Sequence, residues 1–557
     1  MSSPSFPSPR SCESIVRVTA ALRRVQAAAA RRHLRAAPRP QRLLSASARA
    51  AMPLSLALLG APLLGCFGGH GFFDVNEATV DELRSQVKSG AVSCRHVVEE
   101  YRRMQQALDP TLHAITTWND RVLSEADRLD RVPVWQRGSL HCVPVVVKDN
   151  IDVAGLTTTA GAQALASNQV TSDAEIVRRL IDQGAIVLGK SNLPDFALDG
   201  TNTVSSFGGQ TTNPYKSGLT VYGSSGGSAA AIAASLGVIG LGSDTYGSLV
   251  QPASATGLVA IRPTQGLVPS QGILPLMTLQ DMAGPMTRTV RDAAIALELL
   301  VDKAQSGKGS QDYTKALSID RQRSLQVGYD PLVISDLPAA GWTVSPEVAA
   351  LFNQALSLLT LAGAQTKQVS AVMPLLPTLQ ELSNASFACM PVDFKQGINS
   401  YLSAHPTAAP IKSLADIVAS GRFLSSAQAF LTAAEAQTDS VQTSLACQKY
   451  LASKETAATA ITALMDRLEL DVLVYPAATQ PAFAAGQQPP KGWFGFQILS
   501  SPTGLPSLSM PMGIEPKSGA PMGLIFLARK YQETRLIQAA FSLESQAKSR
   551  IAPAPSK

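Results

Sequence analysis

Val143 to Val147 form an apolar, mainly β-branched run that ends directly on Lys148, Asp149 and Asn150. A run of this kind reads as a buried strand, and the lysine at its end restricts what can pack there. The segments that follow repeat one pattern. Residues 173–183 have the apolar spacing of an amphipathic helix, and Ala185 to Leu188 read as a second buried strand. Residues 224–248 open with glycine and serine, pass through a small-residue helix at Ala229 to Ser235, and reach a strand around Val238 to Leu241. Residues 289–301 read as a further helix. Helices alternating with buried strands in this way predict an α/β sheet.

The same alternation bounds the body of the chain. Thr79 and Glu82 make a capping box for a short helix. Ser93 caps a second helix that is expected to run to about Leu108 and to stop at Asp109-Pro110. Between 305 and 460 the sequence turns Ala-, Ser- and Gln-rich with helical periods, which predicts a helical cap. Strands return at Leu470 to Pro476 and Gly523 to Leu527, and a closing helix is expected over 531–546. Because both ends of the body supply strands, residues 74–547 are expected to form one domain, with 548–557 as a tail. The whole chain has 557 residues, ample for a large core.

Charge is unevenly distributed. Residues 1–51 hold ten arginines and one acid, a net +9 out of a total of +6, which leaves −3 on the rest. The body therefore gives no sign of nucleic-acid binding. The Arg-rich segment is expected to be disordered. The apolar run from Pro53 to Gly65 is too short to span a bilayer and has the length of a signal-peptide core. Leu63-Leu64-Gly65-Cys66 resembles the lipobox of exported lipoproteins, so export or membrane anchoring through lipidated Cys66 is expected. An organellar transit peptide and a cytoplasmic chain are the alternatives. Cys94, Cys142, Cys389 and Cys447 are widely spaced without a C-x-x-C. They read as buried free thiols, and no disulfide can be assigned from their spacing.

Several catalytic patterns are weak. Ser85/Lys88 and Ser545/Lys548 fit S-x-x-K on surface-type helices. Gly223 to Gly227 fit G-x-S-x-G around Ser225, but a Ser-His-Asp triad would have to use His405, the one histidine beyond that serine. Phosphate-loop and zinc-hydrolase patterns are absent from the sequence. A serine hydrolase without histidine remains. It needs a base, an activated hydroxyl and donors for an oxyanion. Lys148 at the end of a buried strand can be desolvated and act as a neutral base. Ser224 and Ser225 open a Gly-rich turn that also reads as a plain helix start. Asp244 to Ser248 form a tight turn whose successive N–H groups can make an anion nest.

These residues carry a family likeness. Residues 223–265, GSSGGSAAAIAASLGVIGLGSDTYGSLVQPASATGLVAIRPTQ, resemble the signature of the amidase signature family. The likeness extends through 141–161, 184–198, 208–215 and 266–293, and returns at 470–477, 501–513 and 523–540. The resemblance implies an α/β/α sandwich, a mixed twisted sheet covered by helices on both faces. It also implies amide hydrolysis with no metal and no organic cofactor. By the same resemblance Lys148 matches the family's base and Ser224 its bridging serine beside a cis peptide. Ser248 matches the nucleophile. The backbone N–H groups of Thr245, Tyr246, Gly247 and Ser248 would face the oxyanion. Ser225 would orient Lys148, and Asp244 would buttress the turn.

Two positions depart from the family pattern. Tyr246 replaces a glycine of the usual turn, and Val250 stands where an arginine is usual. The substrate implied is a small-molecule or peptide amide, with part of the 305–460 region in the substrate funnel. Two alternatives are the glutaminase component of a tRNA-dependent amidotransferase and an inactive binding protein on the same fold. The sequence leaves the oligomeric state open.

Overall fold

The computed structural model describes residues 73–302, 312–318, 325–370, 372–405, 411–547 and 550–554. The Arg-rich segment, the apolar run and Cys66 lie outside the described residues. Among the described residues eleven strands form one mixed sheet. In chain order they are β1 (Ile115–Trp118), β2 (Pro144–Lys148), β3 (Ile186–Ser191), β4 (Ile239–Asp244), β5 (Val259–Arg262) and β6 (Met282–Thr287). There follow β7 (Gln326–Tyr329), β8 (Gln365–Gln368), β9 (Val472–Pro476), β10 (Ser507–Ile514) and β11 (Pro521–Leu527). Their order across the sheet is β1-β3-β2-β4-β6-β5-β10-β11-β9-β7-β8. β3, β2 and β4 run parallel, as do β9, β7 and β8, and the pairs between them are antiparallel.

Both faces of β2 are covered, and its sequence shows why. Successive strand side chains point to opposite faces. Val146 enters a core built with Ala229, Ala230, Leu249 and Met286. Val145 and Val147 enter the larger core on the other face with Leu180, Ile239 and Leu241. A strand in this position must be apolar along its length, as this one is up to its terminal lysine. The Gly226–Ala233 helix is wholly buried. Its small residues let it lie close to the sheet, and a Cβ on Gly227 would come within 2.4 Å of the Asn192 backbone.

The sequence-derived strands at 143–147, 185–188, 238–241, 470–476 and 523–527 correspond to β2, β3, β4, β9 and β11. The capping box of Thr79 and Glu82 forms as expected. Three expectations need correction. The helix begun by Ser93 continues to Leu112, with Pro110 inside it. Proline there removes one hydrogen bond of the last turn, and the Asp109 carboxylate holds the exit by accepting from the N–H groups of Ala114 and Ile115.

The 305–460 region is not helical throughout. β7 and β8 extend the far edge of the sheet, with the Pro346–Leu361 helix between them. β8 is a polar edge strand of Gln, Thr and Lys, so it lacks the apolar signature of a strand. The helical cap is confined to Val372–Ala404, Leu414–Ser420, Ser425–Glu435 and Leu445–Arg467.

The four body cysteines are not free thiols: Cys94 is bonded to Cys142 and Cys389 to Cys447. The second bond links the two long cap helices, which pair along their lengths. Partners 48 and 58 residues apart leave no trace in local spacing. Among the described residues no helix is long and apolar enough to cross a membrane.

Candidate active site

β2 and β4 are parallel neighbours, with Val145 opposite Ile239 and Val147 opposite Leu241. Their C-terminal ends therefore deliver Lys148 and the Ser243-Asp244 pair to one edge of the sheet. The loop before the Gly226–Ala233 helix brings Ser224 to the same place, and the Gly223–Ser224 peptide is cis, as the family likeness implied. Lys148 Nζ donates to Ser224 Oγ at 2.8 Å. It also donates to Ser243 Oγ at 3.0 Å and to the Ser243 carbonyl at 3.3 Å. The lysine is completely buried. Burial pushes its ammonium down to about 7, against the opposing pull of Asp244 and Asp281.

Ser225 reaches this group through Ser243 rather than by touching the lysine. Its hydroxyl donates to the Ser243 carbonyl at 3.0 Å. Asn150 Nδ2 donates to Ser243 Oγ at 3.1 Å and to the Leu274 carbonyl at 3.0 Å. Ser243 and Asn150 thus complete the lysine's surroundings. Sequence reasoning missed both, although each lies within two residues of a predicted site residue.

The turn from Thr245 to Ser248 is built around Asp244. Its Oδ1 accepts from the Gly247 N–H at 2.9 Å, and its Oδ2 from the Leu249 N–H at 2.8 Å. Oδ1 also accepts from Ser501 Oγ at 2.9 Å and Arg262 Nε at 3.1 Å. Arg262 is fully buried and donates onward to the carbonyls of Ser501, Gln280 and Leu505. The buttressing expected of Asp244 is therefore present, and Arg262, which carries no signal in the sequence, anchors it.

The donor set needs one correction. Gly247 was expected among the oxyanion donors, but its N–H is committed to Asp244. Its contribution is conformational: φ is +92°, and a Cβ would come within 2.7 Å of Gln497. The N–H groups of Thr245, Tyr246 and Ser248 have no acceptor among the described residues. Tyr246 is not among the residues with positive φ, so a side chain is tolerated where the family has glycine. Its hydroxyl meets Ser383 Oγ at 2.5 Å.

Thr245 is held on two sides. Its hydroxyl donates to Asp281 Oδ1 at 2.5 Å, and its carbonyl accepts from Gln280 Nε2 at 2.6 Å. Burial pushes the Asp281 carboxyl up to about 7, opposed by donation from the Thr245 hydroxyl and the Met277 and Leu276 N–H groups. Ser248 itself is 4% exposed. Its carbonyl accepts from the Ser225 N–H at 3.2 Å, and its hydroxyl has no partner among the described residues. Val250 is buried at the start of the Val250–Ala255 helix.

The weaker patterns are not assembled into sites. His405 Nε2 lies 3.1 Å from Asp152 Oδ2, and its Nδ1 lies 2.9 Å from the Tyr401 carbonyl. Its partners do not include Ser225. Ser85 and Lys88 are both exposed on the first helix, and Lys548 lies outside the described residues.

Known proteins share this geometry's sequence frame. The Amidase family model matches residues 96–537. The native peptide amidase of Stenotrophomonas maltophilia is 33% identical, with a TM-score of 0.75 over 86% of this chain and 98% of that one. An amidase family protein of Bacillus anthracis is 29% identical, with a TM-score of 0.73 over 86% and 93% of the two chains. A glutamyl-tRNA(Gln) amidotransferase component from Gloeobacter violaceus is 31% identical over 84% of this chain and 96% of its own. On a family match that spans the strand-end lysine, the cis-serine loop and the buttressed turn, the chain belongs to the amidase signature family of amide C–N hydrolases.

Proposed function

We propose that the chain hydrolyses a linear carboxylic amide, a small molecule or a peptide amide, to an acid and ammonia or an amine. Lys148, Ser224 and Ser248 carry the reaction. The observation behind this reading is the 2.8 Å hydrogen bond between Lys148 Nζ and Ser224 Oγ at a fully buried lysine. Neutral Lys148 takes the Ser224 proton as Ser224 takes the proton of Ser248. Ser248 Oγ then bonds to the amide carbon, and the carbonyl π-pair moves onto oxygen. The free N–H groups of Thr245, Tyr246 and Ser248 face that charge, and losing one such donor costs other hydrolases about 3–4 kcal/mol. The proton returns through Ser224 to the leaving nitrogen, and the C–N bond breaks. Water, deprotonated along the same path, adds to the acyl-enzyme and releases the acid while Ser248 regains its proton.

Fluorophosphonate labelling with peptide mapping tests this assignment. The adduct should lie on Ser248, be absent in Ser248→Ala, and form far more slowly in Lys148→Ala. A folded wild type that takes no label would favour the inactive binding protein instead. The Gloeobacter relative supports a second reading, a glutaminase working with a partner protein. Ammonia release from glutamine that appears only with a co-purifying partner would favour it.

The two disulfides support an oxidising compartment, in line with export. Anchoring through Cys66 is the finer form of that reading, supported by the Leu63 to Cys66 pattern alone. The mass of the N-terminal peptide from cells tests it.

A further inference from the structure

Phe387 lies beside the turn that carries Tyr246. It is 54% exposed on the Val372–Ala404 helix, whose neighbouring apolar residues Leu382, Met390 and Phe394 are buried. Its ring lies 5.2 Å from that of Tyr246 at 37°. One helical turn earlier, Ser383 holds the Tyr246 hydroxyl at 2.5 Å. The cap helix thus fixes the ring of Tyr246 from two positions four residues apart. Tyr246 stands two residues before Ser248, in the turn whose N–H groups face the oxyanion.

We infer that Tyr246 and Phe387 form an aromatic shelf that selects amides bearing an aromatic or large apolar group on the acyl side of the scissile bond. This rests on the amidase reading above. The side of the bond follows from the proton path. Ser224 delivers the proton to the leaving nitrogen, so the leaving group lies toward the 222–224 loop. That loop has its own aromatic neighbours: Tyr222 packs at 5.8 Å against both Phe483 and Trp493. Tyr246 packs instead on the cap helix, through Ser383 and Phe387, and has no ring contact with that cluster, which leaves it to meet the acyl portion. A glycine at 246 would leave that space open, whereas a tyrosine braced by Ser383 offers a flat apolar face at fixed height. The exposed Phe387 ring continues that face. An aromatic group on the substrate gains area and ring contacts there, and a small acyl group gains neither.

The test is the ratio of kcat/KM for N-acetyl-phenylalanine amide to that for N-acetyl-glycine amide. The wild type should favour the phenylalanine amide by about tenfold or more, the scale of one well-placed apolar contact. Phe387→Ala should reduce the ratio about tenfold, mainly through KM for the aromatic amide. Phe387→Tyr should restore most of it, which a merely structural role would not require. The melting temperature of Phe387→Ala should stay near that of the wild type, because the ring is largely exposed. A ratio unchanged by Phe387→Ala, or a wild type without the preference, overturns the shelf while labelling of Ser248 leaves the amidase reading intact. A wild type that neither hydrolyses these amides nor takes the label overturns both.

Discussion

Replacing Asp244 with asparagine changes one atom of the side chain and tests the central claim about the oxyanion turn. Oδ1 has three donors facing it, from Gly247, Arg262 and Ser501, and Oδ2 has one, from Leu249. The asparagine carbonyl must therefore take the Oδ1 position, which turns its NH2 group against the Leu249 N–H. That amide loses its acceptor, at about 1–3 kcal/mol for a buried group. Arg262, fully buried, loses its counter-charge, and breaking such a pair costs about 3–5 kcal/mol. Together these give about 4–8 kcal/mol. The unfolding entropy of a folded unit of about 490 residues is about 1 kcal/mol per degree, so the melting temperature should fall by about 4–8 °C. The turn should also lose its set, with kcat reduced about 10²–10³-fold, as when one oxyanion donor is removed. Differential scanning calorimetry and amide hydrolysis on the same preparation read both effects. A variant that melts and turns over like the wild type would show that Asp244 does not hold the turn.

Further outcomes follow from the same structure. With Lys148 near 7 and acting as the neutral base, kcat/KM should rise about tenfold from pH 6 to pH 8; a profile flat across that range would exclude the lysine as base. Gly247→Ala should lower kcat sharply, because the residue has φ of +92° and Gln497 occupies the space a Cβ needs; unaltered turnover would mean that the turn relaxes freely. Removing both Cys389 and Cys447 should cost about 4 kcal/mol in the chain-entropy picture for a 58-residue loop, read by denaturant unfolding. Burial pushes Asp292 up to about 6, above about 3.9 for an unfolded aspartate. Its contribution to stability is therefore full below about pH 4 and is lost as the pH rises to about 6. Asp292→Asn should flatten that part of the stability curve measured by thermal melts.

What the sequence reveals here follows from how local each signal is. β2 was legible because both its faces are buried and every residue before its terminal lysine is apolar. β8 was not, because a polar edge strand written Gln-Thr-Lys-Gln looks like helix surface. Lys148 and Ser224 meet 76 residues apart, and the strand end and glycine-rich turn that place them each leave a local mark. Arg262 leaves none. It is one arginine among many until β5 is paired with β6 and β10, and three remote carbonyls surround its guanidinium. Gly247 was legible as a turn residue, but whether its N–H points at substrate or at Asp244 is a matter of φ that composition cannot carry. The disulfides lay beyond local reading altogether, since their partners meet only after distant elements pack.

The anchoring of Arg262 also bears on the order in which the chain becomes competent. Lys148, Ser224 and Ser248 are all translated within the first half of the protein, as are Asp244 and Arg262. The carbonyls that receive the guanidinium include those of Ser501 and Leu505, and the hydroxyl of Ser501 also reaches Asp244. These groups leave the ribosome about 250 residues later. A nascent chain therefore carries its whole reactive set long before the turn beside it can be locked. The turn beside Ser248 is locked only when the segment just before β10, which carries Ser501 and Leu505, has been made and packed.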